Sequence, residues 1–326
     1  MMRWLPALLV GAALVLVAPV AARQSTEPQA AIHQWQAKEA RLFAIGWRLA
    51  TGSAPFCANA GPAIGLLLHD ADSYSDPAAI RDELKLTASI GVQAVAAGSP
   101  AARVGLQAND TLLSVDGSEL ARLPLNGSKA WLRLTGINAA LDQSLALDGQ
   151  VTLRWREPAG EVKEAQVRGV PACASRFELL SRSDRVSADG SRVLLGANFA
   201  GFTYSDELLA AAVAHELAHN LLGHRAQLDR QGRSQANVRA TEREADRMMP
   251  WLLANAGYPP DAAARFMRRW GPQSAGGQLG GLLRARSHDG WDERADLIAA
   301  ELPVIAAQIS ATGRAAWRER FPAAAS

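Results

Sequence analysis

The sequence predicts an α+β protein of two units: a mostly helical domain with a short sheet, and a small β-rich domain inserted into it. Three observations carry this. Apolar residues recur at helical spacing near the N-terminus and again beyond Pro171, while between about Leu86 and Val170 the texture changes to short β-like runs separated by Gly, Pro, Asn and Asp. Two cysteines, Cys57 and Cys173, stand on either side of that β-like stretch. A chain of 326 residues is also long for one compact unit, so two units match its length.

Composition narrows the class. Apolar residues make up 48% and charged residues 20%, the balance of a soluble globular chain, which excludes collagen-like, disordered and polytopic membrane proteins. The net charge of +2 is the remainder of 34 basic and 32 acidic residues with no block of one sign, so nothing points to nucleic acid.

At the N-terminus, Arg3 precedes an apolar run from Leu5 to Val20, and Val20-Ala21-Ala22 offers small residues before Arg23. Residues 1–22 read as a secretory signal peptide; the alternative is a retained anchor, against which Pro6, Pro19 and the small-residue exit weigh. The mature chain is then expected to be exported, periplasmic or beyond, with no further membrane segment, in a compartment where a Cys57 to Cys173 disulfide persists. Such a bridge closes a loop of about 115 residues, worth roughly 4 to 5 kcal/mol in the chain-entropy model.

Residues 23–85 begin the helical domain. Ile32, Trp35, Leu42, Phe43, Ile45 and Leu49 form an amphipathic stripe from about Pro28 to Ala50, with Glu39 the one charge inside it, and Gly52 and Pro55 stop the helix. Asp70 to Pro77 is turn-rich, and a short helical pattern runs from Pro77 to about Leu86. Residues 86–170 are the β-rich unit, with strand-like runs at Ile90 to Val95, Thr111 to Val115, Val151 to Trp155 and Glu161 to Val167. Within it, Val95 to Asp110, carrying Gly98-Ser99-Pro100-Ala101-Ala102 and Gly105-Leu106, followed by Leu112 to Gly117, resembles a PDZ domain of the bacterial protease-associated type; Asn109 stands where that family usually has Gly. The resemblance implies a sheet edge that takes extended peptides as an added strand.

Residues 171–326 return to helical spacing, with one strand-like run at Arg192 to Leu195. His215-Glu216-Leu217-Ala218-His219 follows, a pattern expected by chance in roughly one such sequence in two hundred. Ser205 can cap a helix whose first turn carries Asp206 and Glu207, and Gly223 can end it. Leu208, Ala212, His215, His219 and Leu222 then share one stripe, so both imidazoles can reach one Zn²⁺, with Glu216 beside it as a base for a metal-bound water. The next helix offers Glu242, Glu244 and Asp246. Val238, Glu242, Ala245, Met249, Leu252 and Ala256 form its inward stripe, which selects Glu242 as third ligand and leaves Glu244 among Arg243, Arg247 and solvent. Asp246, one turn on, is placed to accept a hydrogen bond from a ligand imidazole. The bland alternative pairs Glu242 with an arginine and makes the histidines core residues. His224 falls past Gly223 on a different face and reads as structural or solvent-facing; His33 and His69 lie near no motif.

His215-Glu-Leu-Ala-His219, Glu242-Arg-Glu-Ala-Asp246 and the later Trp251 to Pro259 segment together resemble the HtpX and CAAX-prenyl-protease family of gluzincin metallopeptidases. The resemblance implies a mostly helical gluzincin domain with a short edge-stranded sheet, one Zn²⁺ per chain, and hydrolysis of peptide bonds. It further implies that His288 stabilises the oxyanion, together with Arg294, or touches the zinc in a resting state, although Asp289 replaces the family's proline, and Ser187-Ala188 replaces the family's Asn-Ala before its edge strand. The expected protein is an exported zinc endopeptidase acting on protein or peptide substrates, misfolded envelope proteins by family and compartment, with the PDZ-like unit binding or gating substrate and Arg192 to Leu195 pairing with it. The rival expectation is a PDZ-bearing adaptor or holdase with a structural or closed zinc site.

Overall fold

The computed structural model describes residues 26–123, 130–180, 183–274 and 289–321. The expected signal peptide and His288 lie outside them. The first helix, α1 (Thr26–Ser53), buries Ile32, Leu42, Ile45 and Leu49 from the expected stripe. It lies so close to a later strand that a Cβ on Gly46 would come within 2.2 Å of Phe177 Cγ, which is why glycine occupies that turn.

Then follow β1 (Ala60–Ala63), β2 (Leu66–Asp70), α2 (Pro77–Glu83), β3 (Ile90–Val95), α3 (Pro100–Arg103), β4 (Thr111–Val115), β5 (Ser118–Glu119), α4 (Ala130–Asp148), β6 (Gln150–Arg156), β7 (Val162–Arg168) and β8 (Val170–Cys173). The main sheet runs β2-β3-β4-β6-β7, antiparallel throughout, with β5 paired to β4. Leu68, Val92, Leu112, Leu153 and Trp155 of the sheet pack on Ile137, Leu141 and Leu145 of α4. Asp116 and Gly117 both have positive φ, 46° and 75°, the backbone of the tight turn that suits a right-twisted hairpin. Asn109 takes φ 72°, the left-handed conformation for which glycine is usual and which asparagine tolerates best among the others; its Oδ1 accepts a hydrogen bond from Gln36 of α1.

The sheet begins earlier than the boundary near residue 86 anticipates, because β2 is one of its strands. Leu66 to Leu68 is a continuous apolar run with no alternation, and nothing local distinguishes it from helical core. The two crossings between units are β1 and β8, which pair antiparallel with Ala60 opposite Cys173. The Cys57–Cys173 disulfide sits at this junction, Cα atoms 5.6 Å apart.

Three further strands, β9 (Arg176–Leu180), β10 (Val186–Ala188) and β11 (Arg192–Gly196), make a second sheet in the order β10-β11-β9. The expectation that Arg192 to Leu195 receives an extended peptide is corrected here: β11 is the central strand, antiparallel to β10 and parallel to β9, so its backbone groups are already paired on both sides. The edge strands of this sheet are β9 and β10, the latter containing Ser187 and Ala188.

The remaining helices are α5 (Asp206–Leu221), α6 (His224–Gln231), α7 (Gln235–Asn255), α8 (Ala262–Ser274), α9 (Trp291–Ala299) and α10 (Leu302–Thr312). At their centre is α5, whose Leu209 to Ala214, Leu217 and Ala218 are buried within one core shared with α1, α7 and α8. Helix α7 continues through Pro250. By length and composition alone, Trp291–Thr312 is apolar enough to cross a membrane, with mean hydropathy 1.2, which departs from the expectation that no segment after the leader would be. In this fold its two helices meet around Ala300 and Glu301, and the Glu301 carboxylate is held by Arg247, Trp251 and Arg320.

Candidate metal centre

The first turn of α5 is tied down by arginines: Arg41 Nε donates to Asp206 and Arg265 Nη1 to Glu207. Ser205 occupies the N-cap position in extended conformation, without a capping hydrogen bond from its side chain. At the other end Gly223, at φ 68°, turns the chain out of the helix. Two turns of buried alanine and leucine thus fix the rotation of α5 and leave His215, Glu216 and His219 at the wall of a cleft of about 720 Å³, which Glu242 and Arg294 also line.

His215 Nε2 and His219 Nε2 are 3.2 Å apart. Glu242 Oε2 lies 3.2 Å from His215 Nε2, and Glu242 Oε1 lies 3.5 Å from His219 Nε2. A tetrahedral ion with bonds of about 2.0 to 2.1 Å needs its ligand atoms about 3.3 Å from one another, close to the spacing of the two ring nitrogens and of each ring nitrogen from its nearer Glu242 oxygen. His215, His219 and Glu242 could therefore hold a metal ion, their ligand atoms all within 4.8 Å of one another. Two imidazoles and a carboxylate are donors that suit Zn²⁺.

The other ring nitrogen of His215, Nδ1, lies 3.1 Å from Asp246 Oδ1, a close but bent approach. Asp246 is 0% exposed and is gripped by Arg294, whose Nε and Nη2 donate to Oδ2 and Oδ1 at 2.6 and 2.7 Å. Burial disfavours the His215 cation, but Asp246 and Glu242 outweigh it and raise the ring to about 10; burial and the neighbouring His215 push His219 down to about 3. The carboxylates therefore favour positive charge at this cluster, which a bound metal cation would also supply. Arg294 points mainly at Asp246, with Nη2 3.8 Å from Glu242. Asp289 pairs with Arg239 and Arg243.

Sequence reasoning missed Asn220 and the partners of His224. Asn220, 8% exposed, accepts from Gly190 N at 2.7 Å and donates to Ser175 Oγ at 3.0 Å, which ties the metal helix to the loop between β10 and β11 and sets the edge strand β10 along the cleft. His224 is 1% exposed, its Nδ1 2.8 Å from His219 Nδ1 and its Nε2 3.3 Å from Glu244 Oε2. Of the two expected roles for His224, structural or solvent-facing, its burial fits the structural one. Left-handed Gly223 ends α5 and starts α6 at His224, folding the ring back against His219. Glu244 is outward, as the stripe implies, but its carboxylate reaches His224.

Comparison with known families matches residues 91–125 to the PDZ domain. Residues 91–125 are a PDZ domain. No curated protein and no solved structure matches the chain. PDZ domains bind peptides or proteins, which gives this unit a protein-interaction or substrate-binding role. A second cleft, of about 500 Å³, is lined by residues of β2 and α4 and, from α1, by Trp35, Glu39, Phe43 and Trp47. Glu39 there accepts from Gln93 and Trp35, and burial raises its carboxyl above the usual range despite them. Arg176 and Glu178 of β9 line this cleft, whereas β10 lines the metal cleft. The two clefts lie at opposite edges of one three-stranded sheet.

Proposed function

We propose that this chain is an exported zinc endopeptidase whose PDZ unit delivers protein substrates. The observation that supports it best is the convergence of His215, His219 and Glu242 in one cleft with a carboxylate, Glu216, adjacent to His215 on the same helix. A purely structural metal site has no use for a base at its wall. When bound, the metal would supply a Lewis acid that polarises the scissile carbonyl and acidifies a water. Glu216 takes the proton from the attacking water and delivers it to the leaving amine. Asp246 orients His215, and Arg294 holds Asp246 in place and faces the cleft, from which it contributes positive charge toward the oxyanion. His288 shares the oxyanion role by resemblance. Among the described residues β10 pairs with β11 alone, and its outer edge offers an extended substrate main-chain partners in the cleft that Glu216 lines.

The resemblance of His215 to His219 and of Glu242 to Asp246 to the HtpX and CAAX-prenyl-protease family agrees with this reading. Misfolded or unassembled envelope proteins are the substrates it implies. A second reading, an adaptor or holdase with a structural metal, draws on the PDZ match alone. Zinc content and casein cleavage, measured on one preparation with and without a chelator, separate the two. Chelator-sensitive cleavage with about one Zn²⁺ per chain is expected; bound zinc with no cleavage of any unfolded protein favours the adaptor.

A further inference from the structure

His224 is a fully buried imidazole between a ligand and a carboxylate. Its Nδ1 faces His219 Nδ1 at 2.8 Å, and its Nε2 faces Glu244 Oε2 at 3.3 Å. Two ring nitrogens at that distance need one donor and one acceptor, so the pair has two possible polarities. In one, His219 carries its hydrogen on Nδ1 and donates to His224. In the other, His224 donates, the hydrogen of His219 moves to Nε2, and the atom that faces Glu242 and His215 can no longer offer a lone pair.

Glu244 decides between them. A carboxylate only accepts, so it requires the hydrogen of His224 on Nε2, which leaves His224 Nδ1 as the acceptor and forces the hydrogen of His219 onto Nδ1. The geometry points to a directed chain, His219 to His224 to Glu244, in which His224 and Glu244 act as positioning residues that hold His219 in its metal-binding tautomer. This rests on the reading of His215, His219 and Glu242 as a metal site. It gives each ligand imidazole its own outward support: Asp246 and Arg294 behind His215, His224 and Glu244 behind His219. A group acting only by filling space would be served as well by an apolar ring.

The test is zinc affinity of the full chain, by competition with a chromophoric chelator, for wild type, His224→Phe, His224→Asn, Glu244→Gln and the double variant His224→Phe/Glu244→Gln. Outer partners of metal-bound histidines are worth about 10- to 100-fold in affinity. His224→Phe is expected to weaken zinc by that factor, and Glu244→Gln by somewhat less. His224→Asn, whose amide oxygen replaces the Nδ1 acceptor, should recover most of the loss. The double variant should bind zinc no more weakly than His224→Phe alone, since both changes break one chain, whereas two separate structural effects would add. Long-range ¹⁵N–¹H spectra of the zinc form should show His219 protonated at Nδ1 in wild type. If His224→Phe does not fold, Glu244→Leu, which removes the acceptor that Gln would retain, carries the test alone. Zinc affinity within about twofold of wild type in Glu244→Leu and in any folded His224→Phe overturns the relay. Absence of stoichiometric zinc in the wild type would instead overturn the metal reading itself.

Discussion

Arg294 of α9 clasps Asp246 of α7 through two parallel hydrogen bonds, and Asp246 in turn sits against the ring of His215. Both side chains are buried, Arg294 at 7% and Asp246 at 0% exposure. Burial alone would raise the Asp246 carboxyl, but His215 and Arg294 hold it below its usual range. Removing the arginine leaves a buried carboxylate without its partner. Arg294→Met is therefore expected to cost about 3 to 5 kcal/mol of stability and to weaken metal binding. Urea denaturation of the metal-free protein checks the first part; a loss under about 1 kcal/mol would mean that Asp246 finds compensation elsewhere.

Glu216→Gln is expected to keep zinc at full stoichiometry while peptide hydrolysis falls by about 10²- to 10⁴-fold, because the change removes the base and none of the three ligands. Metal content and hydrolysis should be read on the same preparation. Activity within about tenfold of wild type would take Glu216 out of the mechanism.

Glu242→Ala should lose the metal more completely than any change at Glu244, since Glu242 faces both ring nitrogens whereas Glu244 meets His224 and neither of them. Calorimetric titration of metal-free protein with zinc measures both. The reverse order of affinities would contradict the assignment of the third ligand.

The paired change Cys57→Ala/Cys173→Ala opens a loop of about 115 residues, and the chain-entropy model assigns roughly 4 to 5 kcal/mol to that closure. The bridge also sits where β1 and β8 enter and leave the PDZ unit, so the loss should loosen the junction between the units. Denaturation of the oxidised protein against the double variant gives the number. Equal midpoints would show that the β1–β8 pairing holds the junction without the bridge.

His69 in β2 predicts a pH dependence outside the metal centre. Burial lowers its ring from 6.5 to about 4, so between those values the unfolded chain binds the proton and the native state does not. The stability it confers is whole above pH 6.5 and drains as pH falls toward 4. Asp110, raised by burial from 3.8 to about 6, acts with the opposite sign and gains stability as pH falls through 6. Comparison of wild type with His69→Phe isolates the first effect: the stability of wild type relative to the variant should shrink from pH 7 to pH 4.5. Parallel pH profiles would show that the native ring takes up its proton as readily as the unfolded one.

Local signals in the chain were sufficient for the ligand helix, the inward phase of Glu242 and Asp246, four strands of the main sheet, and the PDZ segment, because each rests on periodicity, on turn chemistry or on a short motif. The α1 stripe was equally legible: a 28-residue helix buries one face whatever it packs against. Short strands were another matter. Helical texture was expected after Pro171, yet β8, β9 and β10 form there, since strands of three to five residues take their stability from neighbours distant in sequence.

What the sequence determined by itself is the set of groups available: two imidazoles one helical turn apart with the Glu216 carboxylate beside them, a further carboxylate on the inward stripe of a later helix, and two cysteines around a PDZ segment. What tertiary structure alone decided is direction and pairing. Whether β10 or β11 is the edge depends on which strand β9 joins, and pairing partners are not written in either strand. Whether His224 faces solvent or His219 depends on one residue, Gly223, which takes a left-handed backbone and restarts the helix at a new phase. Periodicity is a property of one continuous helix; it carries no information across a turn that resets it, and there the packing of α6 on α7 sets the angle.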